Sequence, residues 1–147
     1  MKSIVLTLLG IISFSFSLGA QKQSVNSDVQ SGKKILVAYF SCTGTTEKVA
    51  NAIVEVTGGK PYKITPADPY TSADLNWKDK NSRSSREMSD EQSRPVLSGD
   101  VLNVKDYDIV FLGYPIWWNL CPRPINTFIE KYDFSGCLLY TSPSPRD

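Results

Sequence analysis

The 147-residue chain contains no histidine. That absence removes Ser-His-Asp and Cys-His nucleophile systems and every imidazole-ligated metal site. Cysteine is scarce: Cys42, Cys121 and Cys137 form neither a CxxC pair nor a zinc-ligand spacing, and they are too few for a disulfide framework. An excess of charge is missing as well. With 16 basic and 15 acidic residues the net charge is +1, which leaves no electrostatic footprint for nucleic acid or for an anionic membrane surface. One long apolar run exists, residues 4–18, and it is too short and too rich in serine to span a bilayer. Internal repeats and a second domain are also lacking.

What is present concentrates in two loops. The first follows Lys34-Ile35-Leu36-Val37-Ala38-Tyr39-Phe40, a nearly unbroken apolar run of the kind buried on both faces of a parallel sheet. Ser41, Cys42, Thr43, Gly44, Thr45 and Thr46 come next. Val49, Ala50, Ile53, Val54 and Val56 then recur at helical spacing, with Gly58-Gly59 as the stop. A strand, a hydroxyl-rich turn and a helix N-terminus make an anion cradle, because unpaired N–H groups and the positive end of the helix dipole converge on one spot. The loop has no Lys or Arg, so a phosphate there would be held by neutral donors.

The second loop follows Ile109 to Leu112, another doubly buried strand, which Gly113-Tyr114-Pro115 is expected to end. Pro115, Ile116, Trp117, Trp118 and Asn119 then lie past its carboxyl end, where open α/β sheets bind ligands. Adjacent tryptophans in a loop cannot easily both be buried, which favours a ligand platform. Pro122 to Glu130 opens a helix with prolines in its first turn. Ile125, Phe128, Ile129 and Tyr132 form its core-facing stripe, and Arg123 is read as an exposed first-turn residue.

Ser41-x-Thr43-Gly44-x-Thr46 after a strand resembles the phosphate loop of flavodoxins, and Tyr-Pro-x-Trp-Trp resembles the ring-covering loop of one bacterial branch of that family. The resemblance implies a three-layer α/β fold, a doubly wound parallel sheet of strand order 2-1-3-4-5. It also implies FMN as cofactor, with residues 41–46 around its phosphate and 115–119 against its isoalloxazine ring. Asn119 stands where the family commonly has Gly, near the reactive edge of the flavin. Asn tolerates positive φ, so the departure bears on redox potential more than on binding. No residue is assigned as a catalytic acid, base or nucleophile, and no metal is expected.

Between the loops the chain is polar. Residues 60–66 alternate like an edge strand bounded by prolines. Residues 72–94 carry charges at helical spacing (Asp79 with Arg83, Arg83 with Glu87, Arg86 with Asp90), which predicts a solvated helix. Within it, Trp77 through Arg94 resembles a crossover insertion of the Tyr-Pro-x-Trp-Trp branch, where it would form one wall of a substrate pocket.

The ends read differently. Residues 1–20, with a basic start, an apolar core and small residues at Gly19-Ala20, are expected to be a secretory signal peptide, and residues 21–32 a flexible leader. Export to the periplasm or beyond follows, with no lasting membrane insertion after cleavage. Residues 137–147 resemble the in-frame translation of a transposase adapter used in preparing sequencing libraries. They are expected to be a non-native tail, leaving residues 33–136 as the N-terminal part of a flavodoxin-like domain that lacks strands four and five. Such a chain would fold poorly and bind FMN weakly. Once Lys2, Arg146 and Asp147 are set aside, acidic and basic residues balance. Cys42 and Cys121, in loops at the same end of adjacent predicted strands, are read as two thiols.

The expected function is that of an FMN-binding redox protein, an electron carrier or an FMN-dependent reductase, exchanging electrons with a small molecule or a protein. A carrier usually presents an acidic rim, so the neutral chain leans toward a reductase. Two rivals come from other classes. One is a cofactor-free interaction domain on the same fold. The other is a low-mass phosphatase with Cys42 as nucleophile, which would need Arg where Lys48 stands.

Overall fold

A computed structural model describes residues 32–99 and 102–144. The expected signal peptide and nearly all of the leader lie outside the described residues. Strand β1 (Ile35–Tyr39) leads into helix α1 (Thr45–Thr57), which Gly58 ends in the left-handed conformation at φ 66°. Strand β2 (Lys60–Lys63) follows, then the short strand β3 (Thr65–Pro66), helix α2 (Arg83–Ser89) and the short strand β4 (Leu97–Ser98). Strand β5 (Ile109–Pro115), helix α3 (Arg123–Lys131) and strand β6 (Leu138–Ser144) complete the order.

The main sheet has the order β2-β1-β5-β6, parallel throughout, and β3 with β4 makes a separate antiparallel ribbon. In the order in which they join this sheet, the strands run 2-1-3-4, the doubly wound flavodoxin-like arrangement. Side chains alternate across β1 and β5 and so build two cores. Leu36, Ala38, Phe40, Val110 and Leu112 pack with Ile125 and Phe128 of α3 and Met88 of α2, whereas Ile35, Val37, Tyr39 and Ile109 pack with Ala50, Ile53 and Val54 of α1. Three layers result, with α1 on one face and α2 and α3 on the other. Gly113 permits a close approach between layers, since a Cβ there would stand 3.4 Å from the Thr46 methyl.

The sheet corrects the expectation that strand four is missing. Residues 138–144 pair in parallel register along the whole of β5, from Ile109 opposite Leu138 to Pro115 opposite Ser144. An unpaired β5 edge is a row of free donors and acceptors, and Leu-Leu-Tyr-Thr is an extended segment able to meet it. Tyr140 stacks on Phe111 at 5.3 Å. Leu138, Leu139 and Tyr140 stay 37–51% exposed, unlike β1, whose residues are all buried. No fifth strand joins the main sheet among the described residues.

Three local readings also change. The edge strand expected over 60–66 splits at buried Ile64, whose N–H reaches back to Tyr39 O at 2.7 Å before β3 leaves for the ribbon. The long solvated helix contracts to Arg83–Ser89, because Asp79 and Asp90 turn their carboxylates to the N–H groups of Asn81 and Gln92, 2.8 and 2.9 Å away. On α3, Ile125 and Phe128 are core and Tyr132 is half-buried, but Ile129 faces outward.

Candidate functional site

The site begins where β1 stops. Phe40 N–H donates to Gly113 O at 2.9 Å, tying the ends of β1 and β5 together. Ser41 is buried, and its Oγ accepts from Gly44 N–H at 3.1 Å, which closes the turn. Gly44, at φ 93°, occupies the N-cap of α1 without a side-chain cap, so the helix presents its first-turn N–H groups outward. A Cβ on Gly44 would meet nothing within 4 Å. It is the positive φ, and not crowding, that sets glycine here. Cys42 and Thr45 are half-buried and Thr43 is exposed.

Thr46 is the anomaly. It is 1% exposed, and its Oγ1 has no hydrogen-bond partner. An unpaired buried hydroxyl costs about 1–3 kcal/mol. Here it sits in the first turn of α1, among helix N–H groups that would also serve an anion.

The second loop is a tight hairpin. Trp117 N–H donates to Leu120 O at 3.0 Å and Leu120 N–H to Trp117 O at 2.9 Å, with Trp118 at φ 47° and Asn119 at φ 64° between them. Positive φ at both central residues is the type I′ requirement, which Asn meets readily and Trp does not. The left-handed conformation costs Trp118 roughly 1–2 kcal/mol, and strain of that kind collects at ligand sites. The two tryptophans divide as expected: Trp117 is buried and Trp118 is 42% exposed. Trp117 packs edge-on to Phe40 at 5.7 Å and to Tyr70 at 5.3 Å. Pro115 is buried at the end of β5, which runs through Gly113-Tyr114 instead of stopping before them, and Ile116 is half-buried.

The crossover between β2 and β5 makes the third side. Ser82 caps α2 through Ser85 N–H at 3.3 Å. Arg83 stacks on the Tyr70 ring at 4.3 Å and bonds Glu87 at 2.7 Å, and the Tyr70 hydroxyl donates to the same carboxylate. Burial first and Glu87 second push the Tyr70 phenol far above its usual range, so it stays protonated. Arg123, read from sequence as exposed, is buried. Its Nε and Nη2 donate to Glu87 O at 3.1 Å and Met88 O at 2.9 Å, fastening α2 to the start of α3. Being long, the side chain can reach across to another element, which its place in a helix first turn does not disclose.

A cleft of 310 Å³ joins the three segments. Thr43 enters from the first loop, Ile116 to Asn119 from the second, and Leu75, Trp77 and Ser84 from the crossover. The structure thus brings together residues of both sequence-identified loops. It adds Leu75 and Ser84, for which the sequence carries no signal beyond the Ser82 cap. Ser84 is 2% exposed, and its Oγ, like that of Thr46, has no partner.

Titratable chemistry is spoken for elsewhere. Glu47 accepts from Tyr39 at 2.9 Å and from Lys63 at 3.1 Å, contacts that hold its carboxyl below the usual value, while burial and Glu47 push the Tyr39 phenol up to about 12. Burial raises the Cys121 thiol, and no disulfide joins the cysteines among the described residues. No metal-holding group of acidic, thiol or imidazole side chains occurs among the described residues, and no described helix is long and apolar enough to cross a membrane.

The family model described as Flavodoxin matches residues 34–143. The crystal structure of a protein classed as a flavoprotein from Bacteroides eggerthii DSM 20697 is 53% identical at a TM-score of 0.72, over 74% of this chain and 69% of that one. Its counterpart from Bacteroides uniformis ATCC 8492 is 53% identical at 0.72, over 76% and 71%. A flavoprotein in complex with FMN from Lactobacillus acidophilus NCFM has the same fold at a TM-score of 0.59, with 17% identity over 78% of this chain and 93% of that one. No curated protein matches the chain.

Proposed function

The chain belongs to the flavodoxin family, and from that premise we propose that it is an exported FMN-binding redox protein, with residues 1–20 as its export signal. The observation that carries the cofactor is the buried, unpartnered Thr46 Oγ1 in the first turn of an uncapped helix. A phosphate above Gly44 would accept from that hydroxyl, from the first-turn N–H groups and from the loop hydroxyls at Thr43 and Thr45. Ser41, already engaged with Gly44 N–H, shapes the turn. Ile116, Trp118 and Asn119 would meet the ring, and Trp117, wedged against Phe40 and Tyr70, holds that loop in place. FMN, when bound, supplies one- or two-electron transfer, and the protein supplies binding, orientation and a water-excluding surface.

Titrating the chain with FMN and with riboflavin while following flavin fluorescence tests this. Charge-assisted hydrogen bonds contribute about 1.5–3 kcal/mol each, so FMN is expected to bind at least about tenfold tighter than riboflavin. Equal affinities, or no quenching by either, would overturn the assignment. Steady NAD(P)H turnover with an added electron acceptor would then separate a reductase from a carrier.

A further inference from the structure

The outer edge of β6 is open. The order β2-β1-β5-β6 leaves it at the end of the sheet, and no other described strand pairs with its far side. Leu138 N–H donates to Asp108 O at 2.9 Å, toward β5. Main-chain groups alternate sides along a strand, so those of Leu139, Thr141 and Pro143 point away from β5. Proline has no N–H to offer. On the other flank, Cys137 N–H is already given to Phe134 O at 3.1 Å. The edge therefore offers donors at Leu139 and Thr141, and the two positions without a free donor, 137 and 143, stand equally far from Tyr140. Leu138, Leu139 and Tyr140 are exposed, and residues 134–145 carry no charge. The register against β5 runs without a bulge from Leu138 to Ser144. The strand thus lacks the lysines, inward charges and bulges that keep natural sheet edges apart.

We propose that the β6 edge is an interface between two copies of this chain, paired antiparallel about a two-fold axis at Tyr140. A two-fold interface uses the same patch on both copies, so its register must be symmetric. This edge has that symmetry. With Tyr140 opposite the partner's Tyr140, Leu139 stands opposite Thr141, and each such pair exchanges two N–H···O bonds. Pro143 then falls opposite Cys137, where neither has a donor to lose. A strand of another sequence would have to carry its own gaps at the same spacing; a second copy does so by identity. The Tyr140 pair is the non-hydrogen-bonded kind, in which side chains approach most closely. Each Tyr140 ring already lies on Phe111, so the two rings continue that stack across the axis and cover exposed aromatic surface. The net charge of +1 sets up little repulsion between copies. Two four-stranded sheets become one continuous sheet. Because the copies run antiparallel, their clefts lie at opposite ends of it and stay open. The inference is independent of the FMN reading.

Sedimentation equilibrium of the full chain from about 1 to 200 µM tests this. A monomer–dimer equilibrium is expected; a monomer throughout, or growth into larger species with no dimer limit, would overturn it. Tyr140→Lys and Tyr140→Glu each set like charges face to face at the axis, and each should weaken the dimer at least about tenfold. Mixed in equal amounts, the two variants should associate again, because opposite charges then meet. Two folded variants that do not rescue each other would refute the register. Thr141→Pro removes an outward donor and leaves the groups that bond β5 untouched. It should weaken the dimer about tenfold with circular dichroism unchanged, and undiminished association would count against the edge. Should either Tyr140 variant lose its circular dichroism, Thr141→Pro decides. Hydrogen exchange distinguishes the other occupants: the Leu139 and Thr141 amides should gain protection as concentration rises. Protection already complete in a monomer would mean that another segment of the chain covers the edge, and the proposal would fall.

Discussion

The two sides of the cleft are built by opposite means. The loop over residues 41–46 is local: Ser41 closes onto Gly44, Gly44 caps α1, and Thr46 is buried in the first turn that follows. The crossover is held from far away. Arg123 reaches Glu87 and Met88 across 36 and 35 residues of sequence, Tyr70 packs on Trp117, and Arg94 bonds Glu130 at 2.7 and 2.8 Å. A local side fixes the anchoring chemistry in a few residues, while a side assembled from distant partners can change its lining without disturbing the anchor.

The largest break in that comparison is Arg123→Ala. It removes two charge-assisted bonds, one to the part-buried Glu87 carbonyl and one to the buried Met88 carbonyl, and should destabilise the chain by about 3 kcal/mol in urea unfolding. Hydrogen exchange should show α2 opening first while α1 keeps its protection; equal loss in both helices would mean the two sides are not separable. Thr46→Val tests the local side with a change of opposite sign. Replacing an orphan hydroxyl by a methyl of similar shape should stabilise the apo chain by about 1–2 kcal/mol and weaken FMN, measured by urea midpoint and flavin titration on one sample. Stability and affinity falling together would instead make Thr46 a packing residue. Smaller again is Tyr70→Phe, which loses the bond to Glu87 and should cost about 1 kcal/mol. Its FMN affinity should hold, because the ring that braces Trp117 remains.

Legibility in the sequence followed the same divide. Residues 35–40 announce a doubly buried strand because apolar and aromatic side chains follow one another without a charge, and 41–46 announce the turn because hydroxyls and Gly44 sit directly before a helical stripe. Asn119 signalled its positive φ by residue type; Trp118, equally left-handed, did not, since nothing about tryptophan favours that conformation. The i,i+4 charges from Asp79 to Asp90 suggested a long solvated helix, but only Arg83 with Glu87 forms that spacing as a pair. The other carboxylates bind nearby N–H groups, a competition that spacing alone does not resolve. Arg123 was misread because its partners are carbonyls, which any residue type supplies. Strand β6 was missed because its pairing is set by the open edge of β5, a property of the partner and not of residues 138–144.

The finest test of the local side is its response to acid. The carboxyl of Glu47 is lowered first by the Tyr39 hydroxyl and then by Lys63, against burial, which opposes it. A carboxyl whose pKa is lower folded than unfolded adds stability that is complete above the unfolded value. That stability is lost as pH falls through the folded value. Glu47→Gln should therefore flatten the fall in urea midpoint below about pH 4.5. Its partner Lys63 is about half exposed, so solvent screening limits the effect to a few tenths of a kcal/mol. The substitution also removes a negative charge from the first turn of α1, where it favours the helix dipole but would repel a bound phosphate. FMN affinity should consequently stay level or rise as acid sensitivity declines. A fall in affinity would place Glu47 in the cofactor site itself, and the local side would then extend beyond residues 41–46.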